Sequence, residues 1–553
     1  MPEQHELDAA NSEEQRRQRI AALARLAEQQ LYHDVASPQP GTPASLPDME
    51  PSPAHRRSRG ALLLGGVALA LIVVVLIAGT LAARGVLPLA QSTRAVLPAT
   101  ATPIPMPCAN QNVRVSNDFF LAHSEPMIAE NPHNPLNLVG ASKFFTNPAH
   151  YKFQIGTYTS TDGGCTWTDN GLLPGFPANF TISDVTIAFG LHNEVYVAVL
   201  YTDNNLDSGV AVVASRDGGL TFGNPVHVFD DPSGRVFSDK PWIAVDQTNG
   251  RTRGDIYVAW SYDYGTACGA GNYCHQEVAF ARSTDGAASF APMQLIEGHA
   301  SYCTNPAPTR DPTSTLCDGA LGATPVVEPD GTIAVAYAYE DLVGDTIPTR
   351  LLVVTSHDDG LTWSAPSLVA TISDVYGYFP PSRYRNVTLP AFACDPATGQ
   401  LYIAWGSRTA HGADVLFATS RDGGAIWSAP LRVNDDAPGD GAYHFQPQIA
   451  VAPDGVVSIS FFDTRLDPKH VLIDVYLAQS VDHGASFLPN IRVTSQSWDP
   501  AVDAPLDYSG AQFIGDYQGL AADNNYVHPF WNDTRTGSQE IFTDSVPSAR
   551  PKK

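Results

Sequence analysis

Three arginines close similar segments of this chain: Trp405-Gly-Ser-Arg408, Phe461-Phe-Asp463-Thr-Arg465 and Trp531-Asn-Asp533-Thr-Arg535, with Arg408 one residue out of register. Guanidiniums converging on one point would grip a carboxylate through paired N–H bonds. The alternative is local: Asp463 and Asp533 stand two residues before their arginines, so each pair could form a repeated structural bridge instead. A second group combines carboxyls with other reactive side chains. It comprises Phe237-Ser-Asp239-Lys240, Phe513-Ile-Gly-Asp516-Tyr517, the pair Glu340-Asp341, and Glu125. Carboxyls gathered on one face supply the acid and the nucleophile that glycoside hydrolysis needs. The acidic run Asn434-Asp-Asp-Ala-Pro-Gly-Asp440 suggests calcium, but it lacks EF-hand spacing. Cys108, Cys165 and Cys394 have neither a CxxC partner nor a His cluster, so no metal and no cofactor is expected.

These residues must be positioned by something that repeats. Ser160-Thr-Asp162-Gly-Gly-Cys-Thr-Trp167 recurs, with its aspartate at Asp217, Asp285, Asp358, Asp422 and Asp482, as S-x-D-x-G-x-x-[WF], the Gly displaced one place in the third copy. An Asp carboxylate can accept several backbone N–H bonds and so fix a buried turn. Gly supplies positive φ there, and the aromatic folds back into the core. Upstream of these turns stand Pro126-Met-Ile-Ala, Val185-Thr-Ile-Ala, Pro241-Trp-Ile-Ala, Pro325-Val-Val-Glu, Pro390-Ala-Phe-Ala, Pro447-Gln-Ile-Ala and Gln518-Gly-Leu-Ala. That makes seven units, each with further apolar alternating runs such as Ile256–Trp260, which read as strands. Four strands per unit describe the blades of an all-β propeller. The seventh unit lacks a fourth strand. Asn112-Val-Arg-Val-Ser-Asn-Asp118 resembles the fourth-strand segment Leu431–Asp436 and is expected to fill the gap, closing the ring and removing its exposed edge.

The turn motif resembles the Asp box of the sialidase (BNR) repeat superfamily, over roughly residues 110–545. Catalytic sialidase domains have six blades; the unit count here gives seven. The resemblance gives the six Asp-box aspartates a structural role on the rim. It places ligands on the opposite face, where second-to-third and fourth-to-first strand connections converge. It implies an arginine triad of Arg408, Arg465 and Arg535 for a sialic-acid carboxylate. It further implies Tyr517 as nucleophile, Glu340 as its base, and Asp239 or Asp516 as acid. The chain departs from the family where catalytic members carry Phe/Tyr-Arg-Ile-Pro: Phe445-Gln-Pro447 and Lys240-Pro241 have no Arg there.

Ala61–Ala83 reads ALLLGGVALALIVVVLIAGTLAA, without a charge, which is long enough to span a bilayer. Arg56, Arg57 and Arg59 before it put residues 1–60 in the cytoplasm and the rest outside the cell membrane. The tail holds one weakly amphipathic helix over 12–33, and Pro-rich residues 84–107 form a stalk ahead of the propeller at 108–553. In an exterior compartment Cys268–Cys274 and Cys303–Cys317 are expected as local disulfides. Ring closure would bring Cys108 near Cys165. The chain carries 32 basic against 57 acidic residues, and no segregated basic patch, which excludes nucleic acid as a partner. Two functions remain: a membrane-anchored sialidase-like hydrolase acting on external glycans, or a non-catalytic propeller binding glycan or protein at the cell surface. A calcium-dependent adhesion module ranks behind both.

Overall fold

The computed structural model describes residues 106–147, 152–203, 208–264, 275–303, 315–340, 349–375, 377–507 and 510–550. Seven antiparallel sheets form the blades. Blade 1 contains Leu121–Asn131, Asn134–Asn147, Lys152–Ser160 and Thr168–Leu172. Blade 3 contains Val236–Val245, Ile256–Tyr264, His275–Ser283 and Gln294–Leu295. The inner strands of blades 2, 4, 5 and 6 are Thr181–Phe189, Ala320–Val327, Ala391–Cys394 and His444–Val451. Blade 7 joins Gly519–Ala522, Tyr526–Asp533 and Glu540–Thr543 to Val113–Arg114 from the other end of the domain, with Val113 opposite Thr543 and Arg114 opposite Phe542. The seven-bladed ring and its closure are as expected, and Cys108 is bonded to Cys165 across the join. Cys303–Cys317 is also formed. Cys268, Cys274, the apolar span 61–83 and the helix expected over 12–33 lie outside the described residues. Among the described residues no helix is long and apolar enough to cross a membrane.

Antiparallel order fixes which connections share a rim. Strand one runs away from the rim where it starts, so first-to-second and third-to-fourth turns fall on one rim and the other connections on the opposite one. The six Ser-x-Asp turns are third-to-fourth turns. In each, Asp Oδ1 accepts a backbone N–H four residues on, as with Thr166 N–H to Asp162 at 2.9 Å and Ile426 N–H to Asp422 at 2.9 Å. The serine hydroxyl bonds to the aspartate and accepts the N–H four residues on, as in Gly424 N–H to Ser420 Oγ at 3.0 Å. One expectation is corrected. The aspartates do not fill a buried turn: Asp422 is exposed, and the buried polar group is Ser420, at 2% exposure. At Asp285 and Asp358 hydrogen bonds from the turn hold the carboxylate pKa down to about 2. The aromatic that ends each motif packs against the preceding blade: Trp167 on Phe530, Trp363 on Phe280 and Phe487 on Phe417, with ring centroids 5.6, 4.8 and 5.2 Å apart. A Cβ at Gly219, where φ is +89°, would lie 2.4 Å from Val139 of blade 1, so the turn must be glycine to seat against its neighbour.

Five inner strands carry the same bulge, between Ser124/Met127, Ser183/Thr186, Asp239/Trp242, Leu321/Thr324 and Phe445/Gln448. The first unpaired residue of each has positive φ: Glu125 at 50°, Asp184 at 52°, Lys240 at 48°, Gly322 at 69° and Gln446 at 48°. Four of the five are not glycine, and such a conformation costs an L-residue about 1–3 kcal/mol. Bulges re-aim side chains. In three blades the second unpaired residue is proline (Pro126, Pro241, Pro447), which has no N–H to leave without a ladder partner. Pro325, aligned with these from the sequence, instead sits in the paired part of its strand opposite Val335.

Candidate functional site

Three of the re-aimed residues, Glu125, Asp184 and Lys240, meet in one cluster between the blades. Lys240 Nζ lies 2.8 Å from Asp516, 3.2 Å from Asp184 and 3.9 Å from Glu125. Glu125 is paired in turn with Lys143 of blade 1 at 2.6 Å, and Lys143 also donates to Ser183 Oγ at 3.3 Å. Arg385, from the connection between blades 4 and 5, holds Asp516 through two bonds, Nε to Oδ1 at 3.1 Å and Nη2 to Oδ2 at 2.5 Å. Aromatic faces cover the cations. Lys143 stands 4.3 Å from the Phe513 ring centre and 4.6 Å from that of Phe153, and Arg385 stands 4.8 Å from Phe513. The cluster draws on the first three blades and on the connections before blades 5 and 7, and Glu125, Lys143, Asp184, Lys240 and Asp516 are all buried.

Burial and charge pull these groups apart in protonation. Burial works against the Asp516 carboxylate, but Arg385 and Lys240 outweigh it and hold its pKa below the ordinary range. Asp184 is lowered likewise, Lys240 and Lys143 overcoming burial. Burial raises Glu125, with Lys143 opposing. Asp239 is only partly buried by its surface, but it is desolvated. Desolvation, with Lys240 opposing and Asp184 and Asp516 assisting, raises it to about 7. On the next strand Asp263 is raised well above the carboxylate range by burial and by Asp239. Lys240 stays firmly protonated because four carboxylates outweigh its burial.

The structure brings Asp239, Asp516 and Tyr517 together around this cluster. Tyr517 is buried, donates its hydroxyl to the Val185 carbonyl at 3.2 Å and packs edge-on against Trp242. Burial, and then Glu125, Asp184, Asp516 and Asp239, push its pKa well above normal. Glu340 is not among the carboxylates acting most strongly on Tyr517. It follows the second strand of blade 4, where its N–H donates to the Gly319 carbonyl at 2.8 Å.

The arginines form bridges within their own neighbourhoods. Arg465 donates Nε to Asp463 at 2.6 Å, pairs with Asp435 at 2.5 Å and lies over the Tyr476 ring. Arg535 donates to Asp533 through Nε at 2.8 Å and Nη2 at 2.5 Å, and through Nη1 to Asn112 at 2.7 Å and Ser495 at 2.8 Å. Of the two arrangements open to these arginines, the local bridge is the one formed at Arg465 and Arg535. Arg408, whose segment has no aspartate, lies over Phe379 with Nη2 3.5 Å from the Val375 carbonyl.

Sequence reasoning passed over Lys143, Asp184 and Arg385. The signal for the axial position was the residue just before Pro126, Pro241 and Pro447. A recess of about 350 Å³ of empty space, part of it open solvent, adjoins the cluster between Trp242, Leu389, Gln446, Asp516 and Tyr517. The described group of His, Asp and Glu side chains with metal-ligand spacing lies outside this cluster.

No family model matches the sequence, and no curated protein matches it. Solved structures do. One is a protein of unknown function from Dyadobacter fermentans, 15% identical over 68% of this chain and 97% of that one, with a TM-score of 0.45. A Hadza microbial sialidase is 15% identical over 74% and 76%, with a TM-score of 0.41. An α-L-arabinofuranosidase from Fusarium graminearum is 16% identical over 64% and 92%, with a TM-score of 0.40. At these identities and scores they bear on neither activity nor substrate.

Proposed function

We propose that this chain is a non-catalytic binding propeller that engages neutral carbohydrate on its long-connection rim, displayed outside the cell membrane by the span 61–83. One observation carries the reading: four of the side chains that sialoside hydrolysis would use, Arg465, Arg535, Asp516 and Tyr517, are committed to internal partners. Arg465 and Arg535 hold Asp463 and Asp533, Asp516 is clamped by Lys240 and Arg385, and the Tyr517 hydroxyl is bonded to a carbonyl. A buried tyrosine with a raised pKa is a poor nucleophile.

The same rim offers an aromatic ledge. Tyr378 is 39% exposed, and partly buried Tyr443 is backed by the fully buried Phe379, with ring centroids 4.2 Å apart and Arg408 and His470 at the edges. Aromatic faces with polar groups at their edges suit sugar rings, which are apolar on one face and hydroxylated at the rim. Residues after the span hold 25 basic against 48 acidic side chains, which favours neutral over anionic glycans. The test is a glycan array probed with the purified full-length chain, beside a fluorogenic sialoside assay over about pH 4 to 8. Neutral oligosaccharides should be bound, binding should fall in Tyr378→Ala, and no fluorophore should be released. Turnover of the sialoside would refute the reading.

Asp239 favours a second reading. A partly open carboxyl held at about 7 beside Asp263 is suited to general acid catalysis, so a glycosidase using that pair is the alternative. Hydrolysis of a neutral glycoside that disappears in Asp239→Asn would select it.

A further inference from the structure

The third strand of blade 3 opens with His275-Gln-Glu277, and residues two apart on a strand share a face. The chain returns to them at Asp318, just before blade 4. One ligand atom from each of His275, Glu277 and Asp318 lies within 4.8 Å of the others. The three are also oriented by their surroundings. The Gln276 N–H donates to Asp318 Oδ1 at 2.8 Å, and the Tyr264 hydroxyl donates to Glu277 Oε1 at 3.0 Å. The Tyr264 ring lies flat on the His275 imidazole, with centroids 4.5 Å apart and planes 15° from parallel. Asp318 is fixed on both sides: Cys317 is disulfide-bonded to Cys303 and donates its N–H to the Gly298 carbonyl, and Gly319 donates to the Gln276 carbonyl at 2.8 Å. Outer contacts of this kind set the direction of metal ligands. Glu277 and Asp318 are buried, whereas the His275 side chain is 33% exposed, which leaves one side open. Buried Glu297, which accepts the Val278 N–H, is near enough to act on both acids.

We infer that His275, Glu277 and Asp318 bind one divalent transition-metal ion of the zinc type. One imidazole and two carboxylates with an open side match a three-ligand zinc or manganese site, whereas calcium takes six to eight oxygens. His275 Nδ1 and Asp318 Oδ2 are 2.6 Å apart. They must separate by roughly 1 Å to admit an ion at ordinary zinc–ligand distances. The ligands come from a strand and from a connection far along the chain, so no sequence spacing announces them.

The test uses the full-length chain, stripped with chelator, dialysed against Zn²⁺ and assayed by elemental analysis. Roughly one zinc per chain should be retained. Co²⁺ in its place should give a visible d–d absorption band. Asp318→Asn and Glu277→Gln, both close in size to the native residues, should weaken zinc retention by at least about tenfold and abolish the band. His411→Ala, on blade 5, should change neither. Failure of the wild-type chain to retain zinc, or retention unchanged in both site variants, would overturn the inference. If a variant loses its fold, the cobalt band of the folded wild-type chain decides, and its absence overturns the site.

Discussion

On one rim of the ring the strands are joined by short turns, six of them built on the same serine and aspartate. On the other rim connections run over residues 373–390 and 493–518. Single bridges and turns repeat there, Arg465 to Asp463 like Arg535 to Asp533, but the axial ion pairs among Glu125, Asp184, Lys240, Arg385 and Asp516 have no repeat. The first rim repeats because every blade has the same problem there, a tight reversal that must seat against the previous blade. The axial cluster diverges because its residues come from different blades and meet one another. Repetition therefore marks what each blade needs to fold, and divergence marks where the ring can do something that a single blade cannot.

Substitutions on the two rims should separate these roles. The largest effect is expected at the axis. Lys240→Met leaves Asp184, Asp516 and Glu125 without their shared cation, and removal of one partner from a buried ion network costs about 3–5 kcal/mol. Chemical denaturation should show the loss, and an unchanged midpoint would mean that the cluster is solvated.

Asp239 should show a smaller effect of opposite sign. Its folded pKa, about 7, lies above the unfolded value, so the folded state holds the proton more tightly. Its penalty is absent below about pH 4, grows as pH rises towards 7, and is complete above that. Asp239→Asn should therefore stabilise the chain at pH 8 and leave it nearly unchanged at pH 4. Partial solvent access limits the gain to about 1–2 kcal/mol. Equal melting temperatures for variant and wild type at pH 8 would contradict the raised pKa.

On the turn rim, Ser420→Ala leaves the buried Gly424 N–H without its acceptor and should cost about 1 kcal/mol. Asp422→Ala, at an exposed carboxylate, should cost less than Ser420→Ala. The reverse order by calorimetry would restore the aspartate as the main support of the turn.

The ring itself was legible in the sequence. Seven upstream motifs, six turns and the likeness of Asn112–Asp118 to Leu431–Asp436 were enough to count the blades and close them, because strand alternation and turn chemistry are local. The axial cluster was only partly legible. Asp239, Asp516 and Tyr517 stood out as loop residues beside aromatics or charges. Asp184 was missed because Val185 replaces the proline that marks the bulge in blades 1, 3 and 6. Lys143 reads as an ordinary strand residue, and Arg385 lies in a connection with no repeat to align. The arginine bridges were readable as an option, because Asp463 and Asp533 sit two residues before Arg465 and Arg535. Only the bonds formed could choose between that option and a shared carboxylate site.

The functional difference between the rims is tested most directly by hydrogen exchange on the full-length chain, with and without a neutral oligosaccharide identified on the array. Binding on the long-connection rim should slow exchange in the connections at 373–390 and 434–443 and leave the six Ser-x-Asp turns unchanged. Slowed exchange at those turns, with none in the two connections, would contradict it.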